Sequence, residues 1–245
     1  MKAMILAAGL GTRLRPLTDD RPKALVEVAG HTLLEITLRR LAAFGIREVI
    51  VNVHHFADRV VDFLKTNNNF GLQIEISREE ALLDTGGGLK KAAWFFQRNG
   101  AEPFLLHNVD VISTIDLARM VKFHRDHQAV ATLAVQKRET SRQLLFDNQN
   151  LLCGRQAGNG QSPDVVRPGQ MHALAFSGVH VISPRLLERI TEDGAFSIIT
   201  SYLRLAAEGE RILAFPADPY YWRDLGKPEN VAQANDDVKR GILPI

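Results

Sequence analysis

The chain has 245 residues and a nearly balanced charge, 30 Lys and Arg against 28 Asp and Glu, for a net +2. With 45% hydrophobic and 24% charged residues it has the composition of an ordinary globular protein and ample length for a real core. It lacks the clustered basic stripe of a nucleic-acid binder, and one cysteine excludes an intrachain disulfide framework. That residue, Cys153, has no His or second Cys nearby in sequence and reads as a buried, inert thiol. The apolar start breaks at Gly9 and meets Arg13 and Arg15 too early for a cleavable signal. No stretch reaches the roughly 18 apolar residues of a membrane-crossing helix. The expected setting is cytoplasmic, with neither nucleic acid nor membrane as partner.

Taken in order, residues 3–8 form a continuous apolar run, the pattern of a short buried strand, closed at Gly9 by a turn. Residues 24–28 read as extended, with a turn at Gly30. Residues 33–44 carry Leu34, Leu38, Leu41 and Ala42 at helical spacing, with Gly45 as a stop. A strand over 48–53, an amphipathic helix over 56–65, a strand over 73–77, a helix over 86–97 and a strand over 103–107 follow. This alternation predicts right-handed βαβ units and a mostly parallel sheet.

In the second half the spacing predicts a helix over 117–127, capped by Asp116, and a strand over 129–136. Residues 144–146 and 151–154 flank Asp147-Asn148-Gln149-Asn150 and read as a hairpin, and 158–169 is loop by composition. A long strand over 172–182 precedes a helix opened by Pro184. A helix over 197–207, an extended piece over 211–215 and a last helix from Pro228 to about residue 239 complete the chain. The expectation is one α/β domain over 1–245 with a β-rich insertion in its second half.

The opening segment holds the densest chemistry. Gly9-Leu10-Gly11-Thr12-Arg13-Leu14-Arg15-Pro16-Leu17-Thr18, then Pro22-Lys23, puts glycines and fixed cations at the end of a strand. Glycines leave backbone N–H groups uncovered, and Arg13, Arg15 and Lys23 supply positive charge, so the segment suits phosphates. A dinucleotide fingerprint would need a small residue at Leu14 and a helix directly after the loop, which Pro16 and Pro22 prevent. A Walker loop would need Gly-Lys-Ser/Thr, absent here and in Gly86-Gly87-Gly88. A plain glycine turn with solvated arginines accounts poorly for that density.

The segment resembles the signature loop of the sugar-1-phosphate nucleotidyltransferases, the nucleoside-diphosphate-sugar pyrophosphorylases, and four later landmarks follow in family order. The chain looks closest to short single-domain members similar to N-acetylmuramate-1-phosphate uridylyltransferase and mannose-1-phosphate guanylyltransferase, without the left-handed β-helix of longer members. The resemblance implies a Rossmann-like three-layer α/β/α fold with a mostly parallel mixed sheet. It implies transfer of a nucleoside monophosphate from a nucleoside triphosphate to a sugar 1-phosphate, with Mg²⁺. UTP or GTP and a hexose or amino-sugar 1-phosphate are the expected substrates, for a cell-wall or polysaccharide precursor. It further implies that residues 1–115 form the nucleotide-binding half and 116–245 the sugar-binding half. Arg13 would hold the β- and γ-phosphates, Lys23 the α-phosphate between the reactants, and Ala7, Ala8, Gly9, Leu10, Gly11 and Thr12 would line the nucleotide.

Phe104-Leu105-Leu106-His107-Asn108-Val109-Asp110 is an apolar strand ending in a carboxylate, where open α/β sheets bind ligands. By resemblance Asp110 is a catalytic residue and binds Mg²⁺; Val109 replaces the family's usual Gly or Ala. Tyr221-Trp222-Arg223-Asp224-Leu225-Gly226 matches the family's Trp-x-Asp-x-Gly segment, which makes Asp224 the second metal ligand. Mg²⁺ suits one or two carboxylates completed by phosphate and water. Glu79 to Gly88 ends in three glycines that disfavour a helix, as close approach of a base or sugar would explain. By resemblance Thr85 and Gly86 face the nucleotide and Gly87 the sugar. Ser177-Gly178 interrupts a strand, either as a bulge or to admit a ligand. The resemblance puts Ser177, Gly178, Asn108 and Lys23 at the sugar phosphate. The stretch 137–142 reads as a charged edge from which Arg142 reaches the sugar phosphate at most, and no equivalent of the family's sugar-binding Glu and Lys stands out there.

Eight histidines show no zinc spacing and read as structural or surface residues. Two alternatives remain open at this level. One is a non-catalytic regulatory subunit that senses nucleotide sugars; the other is a cytidylyltransferase acting on a phospho-alcohol such as choline phosphate. Monomer and homodimer are both open.

Overall fold

Ala3, Met4 and Ile5 are all fully buried, but Ala3 and Ile5 belong to one core and Met4 to another. The opening strand is therefore covered on both faces, which is why its sequence is continuously apolar rather than alternating. The computed structural model describes residues 1–97, 100–156 and 162–245. Its first half runs β1 (Lys2–Leu6), β2 (Glu27–Val28), β3 (His31–Thr32), α1 (Leu33–Ala43), β4 (Glu48–Val53), α2 (Ala57–Thr66), β5 (Gln73–Arg78), α3 (Asp84–Lys91), α4 (Ala93–Gln97) and β6 (Phe104–Asn108). The second half continues with β7 (Val111–Ser113), α5 (Leu117–Asp126), β8 (Ala131–Gln136), β9 (Gln143–Asp147), β10 (Leu152–Arg155), β11 (Asp164–Val165) and β12 (Met171–Ile182). After a 3-10 segment, Pro184–Arg189, come α6 (Ile198–Ala207), β13 (Ile212–Pro216), β14 (Trp222–Asp224) and α7 (Pro228–Lys239).

Ten strands form one mixed sheet in the order β11-β10-β9-β12-β6-β1-β4-β5, with β8 and β13 branching from β12. Strands β6, β1, β4 and β5 are mutually parallel, as expected of βαβ units. The strand β12 runs antiparallel to β6, β8 and β9, so the second half is largely antiparallel. One face carries α1, α2, α5 and α7 over a single apolar cluster, and the other carries α3, α4 and α6 over a second. Both clusters draw residues from both halves, giving three layers around one sheet.

Local signals account for most element ends. Thr32 Oγ1 accepts from the Glu35 amide, 3.1 Å away, at the start of α1, and Asp116 caps α5 by accepting from the Arg119 amide at 2.9 Å. Pro228 occupies the first turn of α7, where its missing N–H costs nothing. Five expectations need correction. The first strand stops at Leu6, because Ala7 already turns its amide to a side chain. Residues Lys23–Leu25 form a 3-10 turn rather than extended chain, stopped by hydrogen bonds to Pro22 and Lys23 carbonyls. The helix expected over 86–97 begins at Asp84 and breaks at Ala92, whose amide is shared among carbonyls of the preceding turn. Pro184 opens a 3-10 segment, not an α-helix. The expected loop over 158–169 contains β11, paired with Gly154 and Arg155, while residues 157–161 lie outside the described residues. No helix among the described residues is long and apolar enough to cross a membrane.

Candidate active site

The site forms where the parallel strands end. The loop after β1 is pinned by Leu14, fully buried in the core, and by hydrogen bonds that fold the loop on itself. The Leu14 amide donates to Gly11 O at 2.8 Å, and Thr18 Oγ1 donates to the same carbonyl at 2.8 Å. With these anchors inside, Gly9, Leu10, Thr12 and Arg13 are left exposed. From the turn after Pro22, the Lys23 side chain reaches across and its Nζ forms a hydrogen-bonded ion pair with Asp110 Oδ2. Asp110 follows β6, which neighbours β1, so adjacent parallel strands bring the first cation and the first carboxylate together.

The second carboxylate arrives through a small ribbon that the sequence did not announce. Strand β14 pairs antiparallel with β7, with Asp224 opposite Val111, and the Leu225 amide donates to Asp110 O at 2.7 Å. Asp110 and Asp224 are thus neighbours despite their separation in sequence. Gly226 marks how tightly the loop closes on this pair. A β-carbon built on it would lie 2.7 Å from Asp224 Oδ1 and 2.8 Å from Arg13 Nη2, so both side chains crowd the same face of that glycine. The ribbon is braced from behind by Asp237 of α7. Its Oδ2 accepts from Tyr221 Oη at 2.7 Å and Arg223 Nη2 at 2.8 Å. The Tyr221 hydroxyl bond, followed by others from Gln233 and Arg223, holds the Asp237 carboxyl below the usual range.

The fit of a divalent cation can be judged from the donor set. Lys23 engages only Oδ2 of Asp110, and the Gly226 amide engages only Oδ1 of Asp224, at 2.7 Å. Each carboxylate therefore keeps one oxygen without a protein partner among the described residues. Those residues contain no group of three or more His, Cys, Asp or Glu side chains placed to hold a metal. Two adjacent carboxylates suit Mg²⁺, which takes few protein ligands and fills its octahedron with phosphate and water, and suit zinc poorly.

Other expected residues fall into two groups. Ser177, Gly178 and Asn108 do converge on this end of the sheet. At Phe176 to His180 the pairing of β12 with β8 slips, and Gly178 has φ +75°. A β-carbon there would meet Val111 Cγ2 at 2.8 Å and Asn108 Nδ2 at 3.0 Å, so the bulge and the close approach are one feature. The glycine run is different, because its close neighbour is the chain itself. A β-carbon on Gly86 would lie 2.2 Å from the Phe196 ring and one on Gly87 2.3 Å from Gly194 O. The Gly86 amide donates to Phe196 O at 2.9 Å, and Thr85 Oγ1 accepts from the Ile198 amide at 3.0 Å. Packing of α3 against the segment before α6 thus explains these glycines, where an approaching base or sugar was the expected reason. Ala7 and Ala8 are buried. The Ala7 amide is already taken by Asn52 Oδ1 at 2.7 Å, which leaves Gly9 to Thr12 as the open part of the loop.

Residues missed in sequence complete the picture. Buried Asn52 also donates to Glu79 Oε1 at 2.7 Å, and Glu79 Oε2 accepts from the Leu83 amide at 3.0 Å, tying the opening loop to the glycine run. A polar Asn in the otherwise apolar Glu48–Val53 strand was the available signal. Arg138 stacks on Trp222 with its guanidinium 3.9 Å from a ring centroid, whereas Arg142 is exposed. Arg15 is exposed and, among the described residues, pairs only with Asp19, at 3.4 Å. A cavity of about 500 Å³ lies between α1, β7 and the chain end, lined by Arg40, His107 and Val111 among others. Burial lowers Arg40 to about 10; burial, then the Arg40 charge, lowers His107 to about 3.

A family model described as nucleotidyl transferase matches residues 2–144, more than half of the sequence, and the chain belongs to that family. Within it, the chain is similar to the N-acetylmuramate alpha-1-phosphate uridylyltransferase of Caulobacter vibrioides. The two are 37% identical over 93% of this chain and 92% of the relative. It is also 32% identical to the mannose-1-phosphate guanylyltransferase of Mycobacterium tuberculosis, over 99% of this chain and 66% of the relative. The chain thus spans about two thirds of that guanylyltransferase. Solved structures share the fold. HddC from Yersinia pseudotuberculosis complexed with GMP-PN gives a TM-score of 0.75 at 23% identity, covering 97% of this chain and 99% of that one. A UDP-glucose pyrophosphorylase complexed with UDP-glucose gives 0.76 at 18% identity, covering 98% of each chain.

Proposed function

We propose that this chain transfers a nucleoside monophosphate from a nucleoside triphosphate to a sugar 1-phosphate, releasing pyrophosphate and forming a nucleoside-diphosphate sugar. The observation that carries this reading is the meeting of four charged groups from three distant segments: Arg13 and Lys23 of the opening loop, Asp110 after β6, and Asp224 at the end of β14. Two polyanions have to be brought together at such a centre, and fixed cations beside a carboxylate pair are what that task requires. Uridylyl and guanylyl transfer to sugar 1-phosphates, the activities named for the relatives, support the same conclusion and favour UTP or GTP as donor, with a hexose or amino-sugar 1-phosphate as acceptor.

In this mechanism an oxygen of the sugar phosphate attacks the α-phosphorus, and the bond from that phosphorus to the bridging oxygen of the leaving pyrophosphate breaks. Arg13, on the exposed face of the loop, holds the β- and γ-phosphates and takes up charge as pyrophosphate leaves. Lys23, whose ammonium already lies against Asp110, holds the α-phosphate against the incoming sugar phosphate. The uncovered amides of Gly9 to Thr12 line the triphosphate. Asp110 and Asp224 would hold Mg²⁺, which when bound neutralises phosphate charge. Residues 1–115 serve the nucleotide and 116–245 the acceptor, with Ser177 and Gly178 on the acceptor side. A cytoplasmic setting belongs to this reading, supported by a composition with one buried cysteine.

The phospho-alcohol alternative loses ground because one face of Trp222, the natural wall of an amine cage, is already covered by Arg138. The test is pyrophosphate release with Mg²⁺ across UTP, GTP, CTP and dTTP against glucose, N-acetylglucosamine, N-acetylmuramate and mannose 1-phosphates. Turnover of at least one pair is expected. Silence across the whole panel, with choline phosphate and CTP active, would overturn the assignment.

A further inference from the structure

The charged stretch after β8 contains one residue whose environment is not that of a solvated edge. Arg138 is half-buried, its guanidinium stacked on Trp222 at 3.9 Å and its Nη2 donating to Phe176 O at 2.7 Å. Trp222 Nε1 in turn donates to Ser177 O at 2.7 Å. Arg138 is thereby held between the bulge of β12 and the strand that carries Asp224. Yet it makes no ion pair among the described residues, and its buried Nε has no hydrogen-bond partner. Burial pushes its pKa down while the Asp224 carboxylate pushes it back up, so the guanidinium lies within electrostatic reach of Asp224.

A charge taken partly out of water, oriented by stacking and left without an ion-pair partner is costly unless something completes it. The guanidinium is a planar fork matched to the two oxygens of a phosphate or a carboxylate. Two further buried polar atoms, Ser177 Oγ in the bulge and Asn108 Oδ1 packed beside it, have no hydrogen-bond partner among the described residues. The first can donate or accept and the second only accept, so sugar hydroxyls would satisfy both. An anion for the arginine and hydroxyls for its neighbours describe one ligand, an anionic sugar.

We propose that Arg138 binds an anionic group of the acceptor sugar, either its 1-phosphate or a carboxylate carried on the ring. This rests on the acceptor being a sugar 1-phosphate and adds the residue that reads it. The distinction between the two anions matters here. N-acetylmuramate carries a carboxylate on a lactyl ether that N-acetylglucosamine lacks, while their 1-phosphates are alike. Arg142, exposed and with only its amide engaged, by Thr140 Oγ1 at 3.3 Å, has no comparable setting.

Trp222 provides a binding signal independent of turnover. The chain has two tryptophans, so Trp94→Phe leaves Trp222 as sole reporter beneath the Arg138 guanidinium. Its fluorescence would be titrated, with Mg²⁺ present, using N-acetylglucosamine 1-phosphate and N-acetylmuramate 1-phosphate. Saturable changes are expected, and Arg138→Met should weaken binding by at least about tenfold, with Arg138→Lys recovering part of the loss. An equal loss for both sugars assigns the arginine to the phosphate; a loss confined to the muramyl compound assigns it to the carboxylate. Steady-state kinetics should show the same split, with acceptor KM raised and triphosphate KM changed less than about twofold. Unchanged affinity for both probes in Arg138→Met would overturn the proposal and leave Arg138 as a brace for Trp222. Arg138-dependent binding without pyrophosphate release in the unmodified protein would instead overturn the assigned reaction and leave this inference standing.

Discussion

The two sides of the proposed site are built by different means. On the proposed nucleotide side the polar groups are largely satisfied by the chain itself: Ala7 N–H by Asn52, Lys23 by Asp110, Gly86 N–H by Phe196 O. On the proposed acceptor side Ser177 Oγ, Asn108 Oδ1 and Arg138 Nε are buried and have no hydrogen-bond partner among the described residues. The first side comes from adjacent parallel strands, the second from a bulged strand and a two-stranded ribbon whose partners are far apart in sequence. A donor common to many reactions can be held by a preset cradle, whereas an acceptor must be distinguished from close analogues. Buried polar atoms that only the right ligand satisfies are the stronger means of discrimination.

The comparison can be broken most directly at the junction. Asp110→Asn should lower kcat by about a thousandfold or more, since it removes charge from both the metal position and Lys23. It should leave triphosphate binding by the loop measurable in a calorimetric titration; loss of that binding would mean the cradle is not preset. On the preset side, Gly87→Ala forces a methyl toward Gly194 O and should cost about 3 kcal/mol of stability in denaturant unfolding, with activity falling only as the fold does. Gly178→Ala, at φ +75° and against Asn108, should cost about 1–2 kcal/mol. In contrast to Gly87→Ala, it should raise acceptor KM in the surviving folded protein. If the two alanine variants behaved alike, the distinction between the sides would fail.

An effect on stability alone, outside the two sides, follows from three histidines that burial keeps neutral: His107 and His180 at about 3 and His124 at about 4. All three lie below the ordinary value of 6.5, so below that pH the unfolded chain binds more protons than the folded one. Stability is then fully present above pH 6.5 and falls as pH drops toward 4, by at most about 1.4 kcal/mol per pH unit for each histidine. Unfolding midpoints between pH 7 and 4.5 check this, and His124→Gln should shallow the slope. The smallest expected effect is Arg15→Ala, within about twofold of unmodified turnover, because an exposed pair with Asp19 contributes little.

How far the sequence carried depended on distance along the chain. The helix at Pro228–Lys239, the cap at Asp116 and the strand at Glu48–Val53 were legible because their causes lie within a few residues. The short β7 and β14 were not. Three residues carry too little periodicity to read, and they are strands only because each has the other. The glycines at 86 and 87 were noticed in sequence without their packing partners, since the ring and carbonyl that exclude a side chain there come from residues 194–196.

What the sequence determined by itself was the chemistry on offer: an uncovered glycine loop with three cations, one strand ending in a carboxylate, and a second carboxylate in a recognisable segment. Their local surroundings set those features, and local sterics and charge are written in consecutive residues. Only the tertiary structure decided that Asp224 lies beside Asp110, that Ala7 is closed off while Gly9 is open, and that Arg138 rather than Arg142 turns inward. Each of those outcomes is a choice between hydrogen-bond partners far apart in sequence, 45 residues for Ala7 and Asn52 and 38 for Arg138 and Phe176, and only folding makes such partners neighbours.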